Sequence, residues 1–136
     1  MATLDISKIK GLRILVIEDD TVSRIFLREL LTPTQAQIDY AKSGYEATQY
    51  MAKNSPPDII LLDLRLPDVD GVELAQKFLA DNPKLTIIAQ TAYSHLDEKQ
   101  EALDAGCDAF ISKPIEKNEL FSIIMSVIGK NKESSQ

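Results

Sequence analysis

Five short apolar runs alternate along this chain with five longer segments in which apolar residues recur at helical spacing. Several of the runs are continuous in valine, isoleucine and leucine, as expected of strands that are buried on both faces. Parallel strands joined by helices take right-handed crossovers. The pattern therefore predicts one α/β domain, a doubly wound, mostly parallel sheet with helices on both faces.

The predicted strands cover residues 13–17, 37–41, 58–62, 85–89 and 109–112, and the predicted helices cover 22–31, 44–53, 71–80, 95–105 and 117–128. Three helix starts are marked by a capping side chain three residues before an acidic one, at Ser43, Asp70 and Ser94. We expect residues 1–10 to form an N-terminal extension, 11–129 the domain, and 130–136 a polar C-terminal tail.

Composition limits the function classes. The 136 residues, 44% of them hydrophobic, can build one sizeable core. The apolar runs are far shorter than the roughly 20 residues needed to span a bilayer, so we expect no membrane insertion and a cytoplasmic protein. The net charge of −6, without clustered lysine and arginine, argues against direct nucleic-acid binding. The single cysteine, Cys107, cannot form an internal disulfide.

Chemically coherent side chains follow four of the predicted strands. They are Glu18, Asp19 and Asp20 after strand 1, Asp63 after strand 3, Thr91 after strand 4 and Lys113 after strand 5. Ligands of doubly wound sheets bind beyond the carboxyl ends of the strands, so these residues are candidates for one site. Asp20 also has an ordinary role as the cap of helix 1.

The acidic members of this set predict a magnesium and phosphate site. Carboxylates about 4 Å apart repel by roughly 4 kcal/mol at an effective dielectric near 20, which a bound cation relieves. Mg²⁺ accepts one or two protein carboxylates and completes its shell with water and phosphate oxygens. Asp63 can then act as a nucleophile towards phosphorus, while Lys113 and the Thr91 hydroxyl contact phosphoryl oxygens.

With this set in place, the chain resembles the receiver domain of two-component response regulators. The resemblance runs through "ILVIEDD" at 14–20, "PDIILLDLRLPDVDG" at 57–71, "IIAQTAY" at 87–93 and "AGCDAFISKPI" at 105–115. It implies a flavodoxin-like fold with five parallel strands in the order 2-1-3-4-5. It also implies that Asp63 is the phosphoacceptor, and that Mg²⁺ is held by Glu18, Asp19, Asp63 and the backbone carbonyl of Arg65.

The same resemblance implies how the signal enters and leaves. A histidine kinase or histidine phosphotransfer domain would donate the phosphoryl group, and Thr91 and Phe110 would act as the switch residues. The output would be a changed surface on helix 4, strand 5 and helix 5, through which a homodimer can also form. The Lys113–Pro114 bond is expected to be cis. Arg65 and Tyr93 lie where members of the family tune the lifetime of the acyl phosphate.

Two other function classes stay in view. A Mg²⁺-dependent phosphatase could use an aspartyl phosphate, but haloacid-dehalogenase-type enzymes carry a second aspartate two positions after the nucleophile, where this chain has Arg65. A constitutive docking module would be expected to lack Asp63, Thr91 or Lys113, and all three are present. The chain is either a free-standing regulator or a receiver from a larger protein, and "IIAQTAY" favours a hybrid histidine kinase.

Overall fold

The computed structural model describes residues 5–92 and 96–134. Its strands are β1 (Arg13–Ile17), β2 (Gln37–Ala41), β3 (Ile59–Asp63), β4 (Ile87–Thr91) and β5 (Ala109–Ser112). Its helices are α1 (Thr21–Leu31), α2 (Gly44–Lys53), α3 (Gly71–Asp81), α4 (Leu96–Asp104) and α5 (Lys117–Ser134), with 3₁₀ turns at Ile6–Ile9 and Thr32–Thr34. All strand pairs are parallel, in the order β2-β1-β3-β4-β5. The predicted fold class and strand order are confirmed.

Each face of the sheet supports its own core, because successive strand side chains point to opposite sides. In β3, Ile60 and Leu62 pack into a cluster with residues of α2, α3 and α4. Ile59 and Leu61 pack into a second cluster with residues of α1 and α5. α5 turns one apolar face to this second cluster, since Leu120, Ile124 and Val127 are buried. The carboxyl ends of the strands form one edge of the sheet, between these two helix layers.

β3 and β4 begin and end one and two residues later in the chain than the apolar pattern predicted. The prediction placed strands at 58–62 and 85–89, whereas β3 and β4 extend to Asp63 and Thr91. The ladder decides this, because Asp63 is in register with Gln90 and Thr91 with Ser112. Asp63 and Thr91 are therefore the last residues of their strands, whereas the prediction placed both beyond the strand ends.

Helix starts follow the predicted capping chemistry where the structure describes them. The Ser43 side chain accepts a hydrogen bond from the Glu46 N–H, and Asp70 accepts one from Val72. Asp20 caps α1 by accepting the Ser23 N–H at 2.8 Å. The predicted cap Ser94 and the predicted helix start at position 95 lie outside the described residues.

Regular structure extends into both of the segments that the sequence assigned to terminal extensions, as far as the structure describes them. Ile9, placed in the N-terminal extension, is completely buried in the core on the α1 and α5 side. α5 continues to Ser134, through most of the segment expected to be a polar tail. The helix runs through Gly129, so neither this glycine nor the polar composition after it ends α5. In the described part of the chain, no helix combines the length and apolarity required to cross a bilayer.

Candidate functional site: a buried acidic cluster with one lysine

Three carboxylates meet at the carboxyl edge of the sheet. Glu18 directly follows β1 and is fully buried, Asp63 ends β3 and is 4% exposed, and Asp19 is exposed. One oxygen from each lies within 4.8 Å of the others. β1 and β3 are adjacent strands, so their ends are side by side and the predicted acidic cluster forms.

Lys113 supplies the positive charge of this site. Its ammonium group lies 2.5 Å from Glu18 Oε1 and 3.4 Å from Asp63 Oδ2. The strand pairing places it there, since the Lys113 N–H donates to the Thr91 carbonyl at 2.8 Å, just past the end of β5. The Lys113–Pro114 peptide is cis, as the resemblance implied. The structure thus brings Glu18, Asp63 and Lys113 into direct contact.

Burial and neighbouring charges shift the pKa values of both Glu18 and Lys113. Burial raises the pKa of the Glu18 carboxyl, and the neighbouring Asp63 raises it further, while the hydrogen bond from Lys113 opposes both effects. For Lys113, burial alone would lower the pKa, but Glu18 and Asp63 outweigh it and the pKa lies above its usual value. Buried carboxylates beside a single ammonium group remain short of positive charge.

The other carboxylate oxygen of Asp63, Oδ1, is held by the loop that follows β3. The Arg65 N–H donates to Asp63 Oδ1 at 2.9 Å. The Gly71 N–H donates to the Leu64 carbonyl, so α3 begins directly against the backbone of this loop. A Cβ atom at Gly71 would lie 2.5 Å from Leu64 Cα and 2.8 Å from the Asp63 carbonyl oxygen. Only glycine fits this close approach, which holds the Asp63 backbone in place.

The remaining predicted residues lie around this centre. Thr91 is fully buried at the end of β4, in register with Ser112 and one residue after the partner of Asp63. Phe110 is half-buried and packs against the core on the α2, α3 and α4 side. The Arg65 side chain forms a 2.9 Å ion pair with Glu98 of α4. Tyr93 lies outside the described residues.

Sequence reasoning did not single out three polar residues whose surroundings the structure reveals. Glu98 pairs with Arg65, and Asp68 accepts the N–H groups of Gly44 and Tyr45 at 2.9 Å each. Both contacts join residues far apart in the chain, so no local pattern marks them. Gln90 is fully buried in β4. A polar residue inside the apolar run "IIAQT" was a signal that could have found it.

Comparison with solved structures finds the same architecture elsewhere. A CheY-like response regulator receiver domain protein from Methanospirillum hungatei JF-1 superposes with a TM-score of 0.84 at 27% identity, covering 92% of this chain and 99% of that one. A two-component response regulator from Clostridium difficile gives a TM-score of 0.81 at 25% identity, covering 87% and 96%.

Sequence comparison leads to the same group of proteins. The transcriptional regulatory protein PhoP of Escherichia coli (strain K12) is 32% identical over 120 residues, which cover 88% of this chain and 53% of PhoP. The virulence transcriptional regulatory protein PhoP of Salmonella typhimurium (strain LT2) is 31% identical over the same shares. The chain thus spans about half the length of these relatives. Residues 14–125 match the response regulator receiver domain, and the chain belongs to that family.

Proposed function

We propose that Asp63 is the residue through which this receiver domain acts as a phosphoacceptor in two-component signalling. The observation that carries the proposal is the contact set of Asp63. Its carboxylate is almost fully buried, lies within 4.8 Å of two other carboxylates and is 3.4 Å from the Lys113 ammonium group. A carboxylate held in this way is poised to act as a nucleophile.

The acidic cluster fits a magnesium ion. Its donors are carboxylate oxygens, which suit a hard cation, and the excess negative charge over Lys113 favours one. We propose that Glu18, Asp19, Asp63 and the backbone carbonyl of Arg65 hold it. When bound, Mg²⁺ would neutralise charge on the phosphoryl oxygens during transfer. Asp19 is the exposed carboxylate of the three and would be the first to meet an ion arriving from solvent.

The residues of the chain supply the rest of the reaction. One Asp63 oxygen attacks phosphorus as the bond from phosphorus to the donor's leaving group breaks, and the leaving group keeps that electron pair. Lys113, already bonded to Glu18 and close to Asp63, would contact a phosphoryl oxygen. The Thr91 hydroxyl would hydrogen-bond another. The donor would be the phosphohistidine of a histidine kinase or histidine phosphotransfer domain, and the domain would catalyse its own phosphorylation and dephosphorylation.

The proposed output passes through β4 and β5. Thr91 and Phe110 belong to neighbouring strands, and their positions place them on the same face of the sheet. Movement of Thr91 towards the phosphoryl group would shift Phe110 and the surface formed by α4, β5 and α5, the surface proposed for a partner or a second copy. Moving such an equilibrium from 1:99 to 99:1 requires roughly 5.5 kcal/mol of differential interaction.

An enzyme acting on small phosphate esters is the second candidate. Its nucleophile would be the same Asp63, but the position two residues later is Arg65, whose side chain is bound to Glu98. Arginine cannot act as the general acid at this position, because its guanidinium does not deprotonate in proteins. The signalling role is therefore the better supported of the two.

The test is phosphorylation by acetyl phosphate, followed by intact mass. With Mg²⁺ present, the wild type should gain the mass of one phosphoryl group. Asp63→Asn should gain none, and Lys113→Ala should react at least tenfold more slowly, because a positive charge at the transferring group is lost. Asp81→Asn is the matched control, since this exposed aspartate ends α3 at the opposite edge of the sheet.

An equal phosphate gain in Asp63→Asn and in the wild type would reject Asp63 as the acceptor. Catalytic turnover of several unrelated phosphate esters by the wild type would favour the enzyme. If Mg²⁺ is removed with a chelator, phosphorylation should stop, and undiminished labelling would reject the metal site.

A further inference from the structure

A small cavity lies beside the acidic cluster, on the α1 side of the sheet. Its volume is about 230 Å³, several times the roughly 30 Å³ that one water occupies in the liquid. Apolar side chains form most of its lining, Val22, Phe26 and Leu27 from α1 together with Pro114 and Ile115. Val22 and Phe26 are 74% and 45% exposed, so the cavity opens to solvent beside them. A small molecule can therefore reach it.

Gln90 is the polar group of this cavity that the surrounding protein does not satisfy. Its residue is 0% exposed, and it lines the cavity from β4. In the described structure neither the amide nitrogen nor the amide oxygen of its side chain has a hydrogen-bond partner. Burying an amide in this state is costly, and buried polar side chains almost always have partners. The arrangement calls for a molecule that supplies them.

We propose that the cavity is a binding site for a small neutral molecule with an apolar body and one carboxamide or lactam group. The Gln90 side chain offers one donor nitrogen and one acceptor oxygen, and an amide that presents N–H and C=O on the same side pairs with both. The apolar lining would take the body of the ligand.

The charge of the ligand follows from the other polar groups of the lining. Lys113 contributes to the wall, but its ammonium group is bonded to Glu18 and lies close to Asp63. Ser23 adds only a hydroxyl. An anionic or cationic ligand would find no free counter-charge among these groups, so a neutral one fits best.

The test uses the full chain, labelled with ¹⁵N for NMR, and three probes of similar size. Benzamide carries both N–H and C=O, N,N-dimethylbenzamide lacks the N–H, and toluene lacks both. Benzamide should bind most tightly and shift the backbone amides of Ser23 and Ile115. Dimethylbenzamide should bind several-fold more weakly, because one hydrogen bond is lost.

The Gln90→Met variant removes the amide and keeps the length of the side chain. Benzamide should bind it roughly tenfold more weakly, while the affinity for toluene stays within about twofold. Gln90→Asn provides a second variant that keeps the amide group. Equal shifts with benzamide and toluene in the wild type, benzamide shifts at other residues, or unchanged benzamide binding in Gln90→Met would each overturn the proposal. None of these results bears on whether Asp63 is phosphorylated, so the two proposals fail separately.

Discussion

Gly71 shows how a single residue without a side chain can hold the acidic cluster in place. Its missing Cβ leaves room for the backbone of Asp63 and Leu64, so α3 begins directly against the end of β3. Rigid positioning of Asp63 matters because nucleophilic attack depends on geometry at the level of an ångström.

We therefore expect Gly71→Ala to lower the free energy of unfolding by about 1–3 kcal/mol, the usual cost of forcing an atom into a packed site. It should also slow phosphorylation by acetyl phosphate. Gly11→Ala is the control, since Gly11 has a φ of +81° but open space around its Cβ position, and should lose only about 1 kcal/mol. Urea unfolding measures both. Wild-type stability and rate in Gly71→Ala would contradict the close approach.

The pKa of the buried Cys107 thiol predicts how the stability of the domain depends on pH. Burial, with a smaller contribution from Asp108, raises the pKa of its thiol from 9.0 to about 12. Between these values the unfolded chain has lost the thiol proton and the folded chain keeps it, so stability falls as pH rises. Relative to Cys107→Ala, the wild type should lose about 1.4 kcal/mol of unfolding free energy between pH 8 and pH 10. A difference between the two proteins that stays constant over this range would show that the thiol is not buried.

For single residues, the sequence predicted the site where a charged residue follows an apolar strand. Glu18, Asp63 and Lys113 could be predicted because the ends of parallel strands meet at one edge. Glu98 and Asp68 could not, because their partners Arg65, Gly44 and Tyr45 are more than twenty residues away in the chain. Such contacts depend on how loops and helices pack, which no local spacing encodes.

Among the elements, α2 has a reciprocal start signal, since the Ser43 side chain accepts the Glu46 N–H and the Glu46 side chain accepts the Lys42 N–H. Ser43→Ala should lower the free energy of unfolding by about 1 kcal/mol. Ser122→Ala is the matched control, because Ser122 is exposed inside α5 and alanine has the higher helix propensity there. Equal effects of the two substitutions in thermal or urea unfolding would mean that the cap does not stabilise α2.

Element types were predictable from periodicity, but some element ends were not. β1, β2, β5 and α2 have the predicted bounds. β4 begins two residues later than predicted, because Leu85 and Thr86 are buried without belonging to the strand. The apolar pattern marks the residues that are buried, whereas the hydrogen bonds of the ladder define the strand. A buried segment and its strand therefore need not begin at the same residue.

For the whole molecule, the N-terminal turn is part of the core that the five-unit pattern does not include. Ile9 is completely buried, and its cluster contains residues of α1 and α5. Ile9→Ala should therefore cost about 2–5 kcal/mol of unfolding free energy. Lys10→Ala, at the exposed neighbour, should change it by less than about 0.5 kcal/mol. If the two variants unfold at the same urea concentration, the turn does not stabilise the domain.

The central claim is that the acidic cluster and Lys113 make Asp63 the phosphoacceptor, and mapping the modified residue tests it most directly. Borohydride reduces an acyl phosphate on aspartate to homoserine, which tandem mass spectrometry locates in the peptide. After treatment with acetyl phosphate and Mg²⁺, we predict homoserine at position 63 and unmodified Glu18 and Asp19. Reduction product at Glu18, at Asp19 or at any other carboxylate, with Asp63 intact, would contradict the account.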